Sequence, residues 1–300
     1  MKIFLIFIII LVVLILVVGT CVYLYITRPK RITHEDAENT EKSKGFWGDF
    51  DSYDKEELNI TCRDGYVLHG TYVKASASSN KYAIITHGYT YCSAGSVKYA
   101  NIFYKLGYNV YIYDIRHHGL NKSTYCSMGH NEGADVADVY DYFRNKYGKD
   151  AIIGLHGESL GCASSIIALG MRDDIDFLVA DCGFADFNQL AYHLSVSMVH
   201  LPGFVSHFAS IISLILHGFR LDKVRPVDAF KNNDKTPVLF IHGADDDFIP
   251  KLHSEENYEA CNANKKLIFF DGAGHAQSYQ VDPERYFKEV ETFLGEFVSR

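Results

Sequence analysis

The sequence predicts an α/β fold, a mostly parallel sheet with helices on both faces, carrying a small helical cap and preceded by a transmembrane helix. Three observations lead there. From about Leu58 onward, short apolar runs rich in Ile and Val alternate with stretches of helical period, the rhythm of βα units that build a parallel sheet. One strand-to-helix junction holds Gly157-Glu158-Ser159-Leu160-Gly161, a serine framed by glycines. Between Ile3 and Ile26 there is no charged residue.

That first segment, residues 1–27, is long enough to cross a bilayer as a helix and long for a cleavable signal peptide. Only Gly19 and Thr20 break it, and the apolar character runs on through Cys21-Val22-Tyr23-Leu24-Tyr25, where a cleavage site is small and polar. Val18-Gly19-Thr20-Cys21 is a poor lipoprotein box because of Thr20. The reading is a single-pass anchor. Arg28, Lys30 and Arg31 follow it against Lys2 before it, which leans the remainder of the chain toward the cytoplasmic side. Residues 28–57 are polar and of mixed charge, a juxtamembrane linker with one short helix.

Residues 58–300 form the main domain. Leu58–Thr61 and Tyr66–Val73 flank Arg63-Asp64-Gly65, a hairpin signal. Strands follow at Tyr82–Thr86, Asn109–Tyr113, Ala151–Leu155, Phe177–Ala180, Val238–Ile241 and Lys266–Phe270. Helices are expected near 95–106, over 131–147, over 162–169, and from about Pro283 to the end. An antiparallel start followed by β-α alternation means a mostly parallel sheet covered on both faces. Residues 184–235 interrupt that rhythm with two helical segments separated by Leu201-Pro202-Gly203. In the second, Phe204, Phe208, Ile211, Ile212, Ile215 and Phe219 fall at helical spacing, while Val205, Leu214 and Leu216 make the other side apolar too. This is a cap, either packed on the core or lining an apolar pocket.

Composition excludes several classes of function. The formal net charge is −8, and no Lys/Arg-rich patch lies outside the juxtamembrane region, so nucleic acid is not the partner. Seven cysteines without a Cys-x-x-Cys pair suit a reduced chain better than a zinc site or a disulfide framework. Cys92 and Cys126 both fall in loops near the expected site, and two free thiols are the simpler reading over a bridge. The histidines show no metal-ligand spacing, and no cofactor is implied.

A serine between a strand and a helix, with glycines where side chains would collide, stands on a sharp turn with its hydroxyl above the sheet. Such a nucleophile needs a base, and the base an orienting acid. His275 lies just past the last strand, at the carboxyl end where parallel sheets gather reactive groups. His253 is expected on the surface, at the start of a helix. Asp245, Asp246 and Asp247 all follow the strand ending at Ile241, and spacing does not choose among them. Asp181 is a further candidate, read more simply as a loop-capping carboxylate. Two backbone amides should receive the developing oxyanion: that of Leu160, after the nucleophile, and that of Tyr89, after His87-Gly88.

Taken together, His87-Gly88-Tyr89, Tyr113 to Gly119, the Gly157–Gly161 elbow, His242 to Pro250 and Gly274-His275-Ala276 resemble the α/β-hydrolase superfamily. The likeness is greatest to serine-aminopeptidase-like and uncharacterised bacterial hydrolases with an N-terminal membrane segment. The family's His-Gly-x-x-Asp-x-x-Val-Pro pattern falls on His242, Gly243, Asp246, Ile249 and Pro250, which selects Asp246 as the acid. Its Asp-x-Arg-x-x-Gly turn falls on Asp114, Arg116 and Gly119; Leu120-Asn121-Lys122 depart from the serine that often follows. The resemblance implies a serine hydrolase cleaving carboxylic esters through an acyl-enzyme. Peptidase and thioesterase chemistry use the same machinery, and a non-catalytic binding protein is the reading from another class. Cap and anchor point to a small amphiphilic or short acyl substrate near a membrane.

Overall fold

The computed structural model describes residues 1–75 and 78–298. In chain order, α1 (Lys2–Thr27) and α2 (His34–Ser43) precede the hairpin of β1 (Lys55–Thr61) and β2 (Val67–Val73). Then come β3 (Lys81–Thr86), α3 (Val97–Lys105), β4 (Asn109–Tyr113), α4 (His130–Tyr147), β5 (Ile152–Glu158), α5 (Leu160–Leu169) and β6 (Leu178–Asp181). The helices α6 (Phe187–Ser197) and α7 (Val205–His217) lead to β7 (Val238–Gly243), α8 (Leu252–Ala260) and β8 (Lys265–Phe270). The short α9 (Ser278–Val281) and α10 (Pro283–Phe297) close the chain.

The eight strands form one sheet in the order β1-β2-β4-β3-β5-β6-β7-β8. β1–β2 and β2–β4 pair antiparallel, and every later pair is parallel. β5 lies in the middle, and the alternation of its neighbours divides the apolar residues between two faces. Ile84, Tyr111, Leu155 and Phe240 join the core beneath α4, α5, α6 and α7, whereas Ile85, Ile112, Val179 and Leu239 join the one beneath α3 and α10. This is the α/β-hydrolase fold that the sequence predicts.

The chain before β1 folds back onto this body. Thr33 caps α2, accepting the Asp36 N–H at 3.0 Å, and His34 Nε2 meets Asp114 Oδ2 at 2.8 Å. Phe50 is buried in the core under α3, with Trp47 and Tyr53 packed beside it. The apolar helix α1 is 26 residues long, with a mean hydropathy of 3.5 over its most apolar window, long and apolar enough to cross a membrane. Its C-terminal half docks on the domain through Gly19, Tyr23 and Thr27, all buried. The Tyr23 hydroxyl lies 2.6 Å from His217 Nε2 on α7, and the Cys126 N–H donates to the Thr27 carbonyl at 2.7 Å.

Candidate active site

β5 runs straight into α5 through Ser159, which holds φ 57° and ψ −117°. A non-glycine residue pays a strain cost there, so the surroundings must fix it. They do so partly through space. A Cβ at Gly157 would strike the carbonyl of Gly161, and one at Gly161 would strike the carbonyl of Thr86. The Ser159 N–H donates to the Asp181 carbonyl at 2.8 Å, tying the elbow to β6.

Above the elbow, Ser159 Oγ lies 2.9 Å from His275 Nε2, and His275 Nδ1 lies 2.8 Å from Asp246 Oδ2. The three side chains come from the carboxyl ends of β5, β7 and β8. Asp246 is buried while Asp245 and Asp247 are exposed, so burial separates the three carboxylates that spacing leaves equivalent. Its other oxygen accepts the N–H groups of Phe248 (3.0 Å) and Ile249 (2.8 Å). Burial opposes its ionisation, but hydrogen bonds from His242 and His275 outweigh burial and hold Asp246 well below the usual carboxylate range. An ionised Asp246 only accepts, so His275 Nδ1 carries the proton and Nε2 is left to accept from the serine hydroxyl.

Leu160 is the first residue of α5, where backbone N–H groups have no acceptor within the helix. The His87-Gly88-Tyr89 turn packs against the nucleophile: a Cβ at Gly88 would sit 3.3 Å from Ser159 Cβ. Two buried histidines hold that turn. His87 Nε2 accepts the Ile115 N–H at 3.0 Å while Nδ1 donates to the Gly88 carbonyl at 2.7 Å. His118 Nε2 accepts the Thr90 N–H at 3.1 Å, and burial pushes its pKa down to about 3. Neither role is legible in the sequence beyond the presence of His-Gly and His-His-Gly.

A polar network lies under the elbow. Lys98 Nζ pairs with Glu158 Oε2 at 2.8 Å in a nearly closed setting. Tyr99 Oη donates to Glu158 (2.6 Å) and to Asp181 (3.2 Å), and Tyr286 Oη donates to the same Asp181 oxygen at 2.9 Å. Asp181 is therefore a buried side chain and not a loop cap. Burial, reinforced by the Glu158 carboxylate, pushes it up to about 6. His253 also departs from expectation. It is only 4 % exposed, because α8 turns it inward to lie 3.4 Å from the Ala185 N–H.

Among the described residues, two groups of metal-ligand type lie close together: Cys182 with Asp246 and His275, and His34 with Cys92 and Asp114. In each, histidine and aspartate are already hydrogen-bonded to each other, so both sets read as acid–imidazole pairs beside a buried thiol. All seven cysteines are free. Asn121 is 1 % exposed, and its side-chain amide donates to the carbonyls of Asp114 and Ile115.

Parallel sheet, elbow and hydrogen-bonded Ser–His–Asp chain define the class as a serine hydrolase of the α/β-hydrolase fold. The chain belongs to the prolyl oligopeptidase family, whose model matches residues 96–299. It is 35% identical to the uncharacterized protein YqkD of Bacillus subtilis over 271 residues, 88% of each chain. It is 24% identical over 248 residues, 80% of each chain, to the membrane protein YNL320W of Saccharomyces cerevisiae. Among solved structures it is similar to the Pyrococcus furiosus esterase Pf2001, with a TM-score of 0.71 at 24% identity over 91% of this chain and 99% of that one.

Proposed function

We propose that this protein is a membrane-anchored esterase that cleaves carboxylic esters of small amphiphilic acyl compounds. The observation that carries the reading is the continuous hydrogen-bonded line from Ser159 Oγ through the His275 ring to Asp246. His275 takes the proton from Ser159 as the hydroxyl attacks the acyl carbonyl. The amides of Leu160 and Tyr89 receive the oxyanion, and Asp246 stabilises the imidazolium that forms. His275 returns its proton to the leaving alcohol, then activates water to release the acid from the acyl-enzyme. No step requires a cofactor. Residues 1–27 act as the anchor, 28–57 as the segment that ties anchor to domain, 58–300 as the hydrolase domain and 184–235 as its cap. Arg28, Lys30 and Arg31 favour a cytoplasmic domain.

A fluorophosphonate probe on the full-length protein in detergent tests this reading. Labelling is expected for the parent, absent for Ser159→Ala and strongly reduced for His275→Ala. A folded parent that stays unlabelled, even with the cap loosened, would favour a ligand-binding protein on a hydrolase scaffold. The family's description gives peptidase activity as a second reading. The ratio of ester to peptide hydrolysis on matched acyl groups separates the two.

A further inference from the structure

Resting on the reading of α1 as an anchor, we infer that the cap itself is a membrane-inserted element, seated in the hydrocarbon of the leaflet beside the hydrolase domain. The site then takes its acyl substrate from that leaflet, not from water.

The length of α1 sets the first constraint. On α1, Ile15, Val18, Gly19, Val22, Tyr23, Ile26 and Thr27 form a buried or half-buried stripe against the domain, and residues 2–14 stand clear of it. At ~1.5 Å per residue that free part reaches about 20 Å, short of the ~30 Å hydrocarbon core. A spanning α1 therefore carries its docked half into the bilayer, and α7 goes with it. Gly19 meets Phe208, where an added Cβ would lie 3.0 Å from Phe208 Cβ, and Tyr23 meets His217. The two helices thus run side by side in the same sense, in the close approach that small residues permit within membranes.

The chemistry of the cap agrees with that placement. Residues 187–219 contain no Asp, Glu, Lys or Arg in a chain that is 22% charged. Charged side chains at the bilayer centre are costly, so their absence is what immersion demands. The face of α7 turned away from the domain carries Ile211, Leu214 and Ile215, and the preceding turn exposes Met198, Val199, Leu201 and Phe204. A contiguous apolar face of this kind needs a cover. Of the two histidines on α7, His207 reaches back to within 4.0 Å of Asp222 and His217 lies 2.6 Å from the Tyr23 hydroxyl. Charge resumes at Arg28 after α1 and at Arg220 after α7. The Tyr23–His217 contact brings those two ends together, so both helices leave the apolar region at one level, where headgroup phosphates would meet the arginines.

The test uses the full-length protein with Trp47, its one tryptophan, replaced by Phe, reconstituted in phosphatidylcholine–phosphatidylglycerol vesicles. Single tryptophans are placed at exposed sites: Leu11→Trp on the free half of α1, Phe204→Trp and Ile215→Trp on the cap, and Leu252→Trp on the domain. Lipids brominated along the acyl chains should cut the emission of the Leu11, Phe204 and Ile215 variants by about twofold or more, leaving the Leu252 variant unchanged. Quenching at Leu11 alone overturns cap insertion while the anchor stands. Blue-shifted but unquenched cap tryptophans mean that protein covers the face, which also overturns it. Loss of quenching at all positions removes the anchor reading and this inference together.

Discussion

The hydroxyl of Tyr89 donates to the main-chain carbonyl of Ile26 at 2.7 Å, joining the last turn of the apolar N-terminal helix to the turn that packs on Ser159. The residue whose amide is proposed to receive the oxyanion is thus held in place partly by α1. Tyr89→Phe removes this tie without removing the amide. A small misplacement of an oxyanion donor acts on the transition state more than on the bound substrate. The expected result is a kcat lower by roughly threefold to tenfold, with KM and thermal stability little changed. Steady-state kinetics with a soluble ester and a melting curve check it.

Asp246, with the histidine bond and two backbone N–H donors, is the carboxylate on which activity should depend. Asp246→Asn keeps the shape but favours the wrong imidazole tautomer, and kcat is expected to fall by about 10⁴. Asp245→Asn and Asp247→Asn alter exposed side chains, and activity within about threefold of the parent is expected for each. A large loss in either neighbour with a mild one at position 246 would reassign the acid.

His34 and Asp114 fasten the segment after α1 to the domain, and their pairing gives stability a defined pH window. The hydrogen bond to Asp114, helped by Cys92, raises His34 from 6.5 to about 10. Its contribution is fully present below pH 6.5 and is lost as pH rises through about 10. Asp114 is held at about 2 against burial by its bond to His34, so its share is present above its ordinary 3.8 and lost as pH falls through 2. Both contributions coincide between roughly pH 4 and 6.5. With a third of the His34 side chain exposed, solvent screening reduces the pair to about 1 kcal/mol. Unfolding midpoints of His34→Ala and parent should differ most near pH 5 to 6 and converge toward pH 10.

Asp181 has the opposite sign. Burial first, then the Glu158 carboxylate, raises it from 3.8 to about 6, so the folded state holds this proton more tightly than the unfolded one. Stability from this group is fully present below pH 3.8 and falls as pH rises through about 6. Asp181→Asn removes the titration while keeping an acceptor for Tyr99 and Tyr286. Relative to the parent, the Asn variant should gain about 2 kcal/mol between pH 4.5 and pH 7.5. Denaturant unfolding at the two pH values measures the difference, and a constant offset would rule out a titrating Asp181.

What the sequence makes legible follows from what is local. The βα alternation, the elbow and the position of His275 after the last strand are set by neighbours in the chain, and each is found within a few residues of its expected place. The network of Lys98, Glu158, Asp181 and Tyr286 is assembled from α3, β5, β6 and α10, and no spacing reveals it. His253 is misread because the start of a helix says nothing about which way the first turn faces. The docking of α1 is hidden for a different reason. A helix apolar on all sides offers no moment to mark its contact stripe, and the buried Gly19, Tyr23 and Thr27 are no more distinctive in sequence than Thr20 and Tyr25, which stay exposed.

Gly19 therefore gives a way to separate docking from membrane partition. Leucine there leaves the hydropathy of α1 intact or raises it, so partition into membrane is expected to stay as in the parent. The added side chain meets Phe208, whose Cβ and carbonyl oxygen both lie 3.0 Å from the position of a first carbon. Backbone does not yield as a flexible side chain does, so α1 must shift off α7. Overpacking of this kind costs about 1–3 kcal/mol, and the shift also strains the bonds from Tyr23 to His217 and from Tyr89 to Ile26. Gly19→Leu should remain in the membrane fraction after carbonate washing while unfolding at a lower temperature in detergent and losing kcat in step with Tyr89→Phe. Gly19→Ala, with one carbon to accommodate, is expected to fall between the two. A Gly19→Leu protein as stable and active as the parent would mean that α1 and α7 are independent neighbours, and that α1 does not shape the active site.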